Sequence, residues 1–309
     1  MIGLELFATL ALSSTVMAPA LPERPRSDWV GEWVFIKRSQ TPCEKMALDG
    51  TFTPNGTLRS IQYRVEKEDK LKIMVNQEGK QVWINKDDMV RLKDAVDHFT
   101  KMLDEDPNND IWYAFRGWAR HRTGKSEEAL KDYAEAIRLS PEAPHWYSNR
   151  GLVHLEMKKI DEAISDFSTS IELVPENEVA YRNRAMAHTR KKNFARAAED
   201  YAAVVELNPD SPLGNNGLAW LLSTAPDEKV RNGKKAVEHA KKACELTEYK
   251  NGGYLDTLAA AYAEAGDFIK AVEWQEKAIK AGDMPIKDMD AAKKRLELFK
   301  AKKPYRGDE

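Results

Sequence analysis

Between Asp110 and Ser211 the chain repeats itself every 34 residues, and this period restricts the fold more than any other feature. Three lines align without gaps: Asp110 to Ala143, Pro144 to Asn177 and Glu178 to Ser211. Tyr113, Tyr147 and Tyr181 share a column, as do Gly117, Gly151 and Ala185. So do Ala129, Ala163 and Ala197, then Tyr133, Phe167 and Tyr201, then Pro141, Pro175 and Pro209. A fixed period of this length marks an array of helix–turn–helix units.

The columns have physical roles. Two helices approach closely only where the side chains at their crossing are small, which Gly117 and Ala129 and their equivalents provide. The aromatic four residues after that alanine lies one turn on, on the same face, and fills the space between helices. Proline cannot continue a helix, so each second helix should stop soon after Leu139, Leu173 and Leu207. A single pair cannot bury its apolar face, and stacked neighbours bury it together.

These lines resemble the tetratricopeptide repeat (TPR) family. The resemblance implies a mainly α fold, a TPR-type α-solenoid. Several positions depart from the family pattern. Arg116, Arg150 and Arg184 stand where leucine is usual, and Arg120, His154 and His188 where an aromatic is usual. Ser170 and Val204 replace a small alanine, which makes the packing there less ideal.

The register extends outward. Residues 93–109 read as a half repeat, with Ala95, Phe99 and Pro107 placed 34 residues before Ala129, Tyr133 and Pro141. Full repeats are expected at 110–143, 144–177, 178–211, 212–250 and 251–284, followed by a basic capping helix and tail at 285–309. In the fourth, about five extra residues fall within 224–233. Gly266 is placed for a left-handed turn between helices. Asp288 to Lys302 reads as the capping helix, with Lys293, Lys294, Arg295, Lys300, Lys302 and Lys303 facing solvent on one side.

Ahead of the array the pattern turns extended. Trp33–Ile36, Ile61–Val65, Leu71–Val75, Val82–Ile84 and Met89–Val90 are strand candidates, and Asn55-Gly56-Thr57 reads as a turn. Residues 27–92 therefore predict a small all-β module. Its order, Val30-Gly31-Glu32-Trp33-Val34, then Tyr63-Arg64-Val65, then Trp83 and Asp87-Asp88, resembles a bacterial SH3-like barrel. This module takes the place of the missing first helix of the half repeat and is expected to pack on residues 94–107. Trp29, Trp33 and Trp83 read as barrel core or, in a sharper reading, as an aromatic groove.

Residues 1–26 form an apolar segment and linker. Ile2 to Ala20, ending Ala18-Pro19-Ala20, resembles a secretory signal and points to export to the periplasm or cell envelope of a bacterium. The absence of Lys or Arg before the run, and Glu5 near its start, leave an uncleaved anchor or a mis-assigned start as the other readings. No second hydrophobic span follows.

Composition excludes several functions. With 48 Lys and Arg against 50 Asp and Glu, no broad electrostatic case for nucleic acid exists. The two cysteines, Cys43 and Cys244, make no disulfide framework. No phosphate loop, His-Glu-x-x-His, Cys-x-x-Cys or Gly-x-Ser-x-Gly is present. The six histidines lack a carboxylate or cysteine partner at ligand spacing, so neither a metal, a cofactor nor a catalytic site is expected.

What remains is binding. In the family the first helix of each unit lines a concave face that takes extended or helical peptides. Carried over by position, that face offers Ala114, Trp118, His121 and Arg122, then His145, Ser148, Asn149 and Leu152. It continues with Arg182, Asn183, Met186 and Arg190, then Asn216 and Trp220. Asn149 and Asn183 match positions that contact a terminal carboxylate in some members, whereas Ala114, Trp118 and Val179 do not match the rest of that clamp. The expected function is a non-enzymatic scaffold for a protein or peptide partner. An envelope-binding module with the repeats as spacer, and self-association of the array, are the rival readings.

Overall fold

The computed structural model describes residues 31, 33–36, 42–46, 52–57, 62–68, 71–77 and 80–307. The signal-like segment and Trp29 lie outside these residues. The chain forms two compact units, with the boundary between Met157 and Lys158.

The first unit begins with seven strands: β1 (Trp33–Ile36), β2 (Pro42–Met46), β3 (Phe52–Thr57), β4 (Gln62–Glu68), β5 (Lys72–Gln77), β6 (Lys80–Asn85) and β7 (Met89–Arg91). Every pairing is antiparallel, in the order β3-β2-β6-β5-β4-β1-β7. The five expected strands are present, and β2 and β3 are additional. The turn expected at Asn55-Gly56-Thr57 is instead the end of β3. That strand lies at an edge and pairs only with β2, through a register shift between Pro42 and Glu44. An edge strand tolerates Pro54 and the Asn-Gly pair because one side of its backbone needs no partner.

Helix α1 (Leu92–Glu105) follows β7 directly. The core runs from the sheet into the helices without a break. Val34, Val65, Val75, Val82, Ile84 and Met89 belong to the same buried cluster as Phe99, Phe115, Tyr133 and Trp146. The sheet thus covers the face of α1 that a preceding helix would have covered. Helices α2 (Asp110–Arg122), α3 (Ser126–Leu139) and α4 (Pro144–Glu156) complete the unit. Trp146 Nε1 donates to Asp110 Oδ2 at 2.8 Å and ties α4 to α2.

The second unit holds α5 (Ile160–Leu173), α6 (Glu178–Arg190), α7 (Phe194–Leu207), α8 (Pro212–Thr224), α9 (Gly233–Leu246), α10 (Gly252–Glu264), α11 (Phe268–Ala281) and α12 (Ile286–Lys300). Helices α3, α5 and α7 stop on Leu139, Leu173 and Leu207, two residues before each proline. The starts of α2, α4, α6 and α8 keep the 34-residue spacing, and α10 starts 40 residues after α8. The insertion supplies most of this excess, and the turn before α10 supplies the rest, where Glu248 and Tyr249 take positive φ.

Two departures from the family pattern have compensations. Val204 is fully buried, and the space it needs comes from Gly214 on α8, where an added Cβ would lie 2.4 Å from Val204 Cγ1. Gly217 does the same for the Tyr201 ring, again at 2.4 Å. The larger side chain at Val204 is therefore accommodated by a glycine on the next helix. Ser170, also fully buried, accepts a hydrogen bond from Asn177 Nδ2 at 3.1 Å.

The arginines in place of leucine have partners too. Arg116 donates from Nε and Nη2 to Asp132, at 3.1 and 2.7 Å, and Arg120 Nη1 joins the same carboxylate at 2.7 Å. Asp132, Asp166 and Asp200 recur at one repeat position, and all three are buried. Arg116, Arg150 and Arg184 each lie over the tyrosine three residues earlier, at 5.4, 5.8 and 5.5 Å.

Candidate functional site

The candidate binding residues fall on the first helix of each pair, and each unit presents its own share of them. Successive positions along these helices carry Ala114, Ser148, Arg182 and Asn216 in one column, and Trp118, Leu152, Met186 and Trp220 in another.

In the first unit most of this face is engaged internally. Trp118 is buried, with its ring 6.5 Å from that of Trp33 on β1. Arg122 lies over both rings, 5.2 Å from Trp33 and 5.4 Å from Trp118. This cation–π pair is worth about 0.5–2 kcal/mol and fastens the sheet to α2. Trp118 is thus a core residue rather than an open contact. Trp83 is buried on β6, separated from Trp33 by β5 and β4. His121 bridges Ser126 Oγ at 3.0 Å through Nδ1 and Glu156 at 2.9 Å through Nε2. His145 packs edge-on to Trp146, and burial pushes its pKa down against the opposing pull of Asp110. Ser148 and Asn149 are buried, and Asn149 Nδ2 has no hydrogen-bond partner among the described residues.

The second unit presents a different surface. Arg182 on α6 is half-buried and makes no ion pair or hydrogen bond among the described residues. Burial lowers its pKa, while Glu178, Tyr201 and Tyr254 act to raise it. Glu178 itself is engaged elsewhere, accepting from Ser211 Oγ at 2.7 Å and Asn208 Nδ2 at 3.0 Å. Asn183 is buried beside Arg182, and Met186 and Arg190 are exposed one and two turns on. Asn216 Oδ1, in the Arg182 column, is buried without a hydrogen-bond partner. A buried polar atom without a partner is uncommon and costs about 1–3 kcal/mol.

At α8 and α10 the face is covered by the chain itself. The segment after α12 turns back, and the Tyr305 ring lies 5.9 Å from that of Trp220. Arg295 on α12 lies over both, 5.4 Å from Trp220 and 5.3 Å from Tyr305. Arg306 Nη1 is 2.7 Å from Glu264 Oε2 at the end of α10. The Gly307 N–H donates to the Thr224 carbonyl at 2.8 Å. Trp220, expected to be open, is half-buried beneath this segment.

The insertion at 224–233 serves this arrangement. Its Arg231 donates from Nη1 to the carbonyls of Ala225 and Pro226, at 2.8 and 2.7 Å, and from Nε to Glu264 Oε1 at 3.1 Å. Glu264 therefore stands between Arg231 and Arg306. Arg295, expected at the solvent, is buried instead: it donates from Nε and Nη2 to Asp256, each at 2.9 Å. Asp256 also accepts from Gln275 at 2.6 Å, and burial raises its pKa despite both partners. An isolated carboxylate on α10 would have been costly to bury, which is the reason a basic residue of the capping helix turns inward. Cys244 is buried, and its thiol pKa is pushed up to about 12 by burial, so it carries no thiolate chemistry near neutral pH.

Two family descriptions match the chain, TPR repeat at residues 117–158 and tetratricopeptide repeat at 148–212. No curated protein matches the sequence closely enough to count as a relative. Among solved structures, the chain is similar to YrrB, described as a TPR protein with an unusual peptide-binding site. The identity is 21% and the TM-score 0.52, over 65% of this chain and 100% of that one. A tetratricopeptide repeat protein from Parabacteroides merdae gives 21% identity and a TM-score of 0.54, over 68% of this chain and 81% of that one. Yeast Tom70 gives 22% and 0.51, over 67% and 43%. At these identities the likeness is one of fold. The repeat matches, the helix starts at 34-residue spacing and the shared fold agree with one another, and residues 117–212 carry tetratricopeptide repeats.

Proposed function

We propose that the chain is a non-enzymatic scaffold that binds a protein or peptide partner through the first-helix face of its second unit. Arg182 carries this reading. A half-buried guanidinium that makes no ion pair or hydrogen bond among the described residues is poised to take a carboxylate or backbone carbonyl of a ligand. Asn183 and Asn216 add amide groups suited to an extended backbone. Tetratricopeptide repeats are typically interaction modules, which agrees with this reading.

The test is photo-crosslinking in cells from positions 186 and 145, with a crosslinker at the exposed Lys131 as control. The expected result is one recurrent partner segment captured from position 186, lost on adding Arg182→Glu. Equal capture from Lys131, or capture of the chain alone, overturns the reading.

The sheet is read here as an SH3-like module whose role is to close the first half repeat. The alternative reading is an envelope-binding module with the repeats as spacer, and retention on purified cell wall that is lost with Trp33→Ala or Trp83→Ala is the observation that would favour it. Export of the protein is proposed from the apolar residues 2–20, and a mature amino terminus near residue 21 on the exported protein is the observation expected.

A further inference from the structure

We propose that Trp220, Thr224, Glu264 and Arg295, braced by Arg231, form a specific peptide subsite. Its ligand is a short extended segment carrying an aromatic, an arginine and a small residue in succession. In this structure Tyr305, Arg306 and Gly307 fill it from within the same chain, and a partner segment of the same chemistry enters by displacing them. The inference rests on the first-helix face being a peptide surface.

Each contact selects one feature of the ligand. Trp220 and the Arg295 guanidinium flank the Tyr305 ring, which sets the first residue as aromatic. Glu264 selects a cation at the second. Arg231 holds its Oε1 at 3.1 Å and leaves Oε2 for the incoming Arg306 at 2.7 Å, so the carboxylate is oriented before the ligand arrives. The Thr224 carbonyl takes the backbone N–H of the third residue. A Cβ at Gly307 would lie 3.6 Å from that carbonyl, so a small side chain is also accepted there.

The 224–233 insertion is what makes the subsite. It carries Arg231, which links the Ala225 carbonyl just after α8 to Glu264 at the end of α10. The contacts are few and residues 304–307 stay partly exposed, whereas Arg295, one wall of the subsite, is held separately by its buried pair with Asp256. Displacement of residues 304–307 therefore leaves α12 anchored. A tethered segment competes at an effective concentration in the millimolar range, so an external segment meets an apparent affinity reduced by the occupied fraction.

The experiment uses the labelled peptide Lys302–Glu309 in fluorescence anisotropy. It is titrated with the full chain and with a chain ending at Lys303. The shortened chain is expected to bind, and the full chain to bind at least about tenfold more weakly. Trp220→Ala in the shortened chain, or Tyr305→Ala in the peptide, should abolish binding. If the shortened chain does not fold, full-length Tyr305→Ala/Arg306→Ala takes its place, and its circular dichroism must match the parent. No binding of the peptide by a folded chain with the segment removed or disabled overturns the proposal. Full-length dimers that vanish with Tyr305→Ala would assign the subsite to a second copy and also overturn the partner reading. The scaffold reading fails separately, because capture from position 186 reports on α6 and the peptide reports on α8 and α10.

Discussion

Arg184 grips Asp200 with two parallel hydrogen bonds, Nε to Oδ2 at 3.0 Å and Nη2 to Oδ1 at 2.7 Å. The pair joins α6 to α7, and Arg184 Nη1 reaches back to Ser168 Oγ on α5 at 3.0 Å. The arginine side chain keeps 22% exposure and the aspartate 7%. Removing one partner leaves the other charge nearly buried. Asp200→Ala should therefore cost about 2–4 kcal/mol in urea denaturation. Arg184→Leu combined with Asp200→Ala should recover more than half of that loss, since leucine fills the site without a charge. Equal losses in the single and double variants would show that the ion pair, rather than the orphaned charge, sets the stability.

Gly214 and Val204 should behave as one unit. Gly214→Ala drives a Cβ toward Val204 Cγ1 and should cost about 1–3 kcal/mol by overpacking. Val204→Ala opens a cavity and should cost about 1–3 kcal/mol. Together they should be less damaging than the sum, with a favourable coupling of about 0.5–3 kcal/mol in a double-mutant cycle. Additive losses would mean that α7 and α8 shift apart rather than collide.

Four turns between paired helices use the left-handed region, at Gly124, Lys158, Lys192 and Gly266. Two of these are lysines with φ near +60°, where a Cβ crowds the backbone. Lys192→Gly should raise stability by about 0.5–1 kcal/mol, the relief of strain exceeding the entropy that glycine adds to the unfolded chain. Gly266→Ala should cost about 1 kcal/mol, and since nothing lies within 4 Å of the added Cβ, that cost is backbone strain alone. Thermal melts of the two variants should move in opposite directions.

His239 gives the second unit an acid sensitivity. Its Nδ1 lies 2.9 Å from Asn215 Oδ1, so the nitrogen donates to the amide oxygen. Burial lowers its pKa below 6.5, with Glu238 opposing and Lys235 adding to the depression. The unfolded chain binds the proton more readily than the folded one. The associated stability is complete above pH 6.5 and is lost as pH falls through the depressed folded value. The urea midpoint should drop between pH 7.5 and 5.5, and His239→Gln should flatten that dependence. An unchanged slope in the variant would assign the effect to other groups.

The repeat register was legible because every helix start from α2 to α8 obeys one spacing, and proline, glycine and alanine mark it chemically. Arg116 and Asp132 were legible in principle. They stand sixteen residues apart, and each recurs in the next two repeats. Read separately, the arginines look like departures; read jointly, they are a ladder. Strands β2 and β3 carry Pro42, Pro54 and Asn55-Gly56, which hide an edge strand that draws its order from a single neighbour. The segment 304–307 was not legible. Pro304-Tyr305-Arg306-Gly307 has no periodicity, and its place depends on Glu264, 42 residues earlier, being already half-claimed by Arg231. Arg295 misled for the same reason: a lysine-rich helix gives no sign of which cation turns inward.

The Tyr–Arg–Asp sets bear on how such a chain lengthens or shortens over generations. Where the geometry is described, each arginine finds its carboxylate inside its own helix pair, and its ring sits three residues before it. The reach to the preceding helix is only to a hydroxyl, Thr100 or Ser168, and the same position in the next register is Ala134. A duplicated or deleted block of one period therefore carries its buried charges away already neutralised. Recombination between repeats leaves no orphaned ion at the seam, and the ladder that holds a pair of helices together also makes that pair a tolerated unit of genetic exchange.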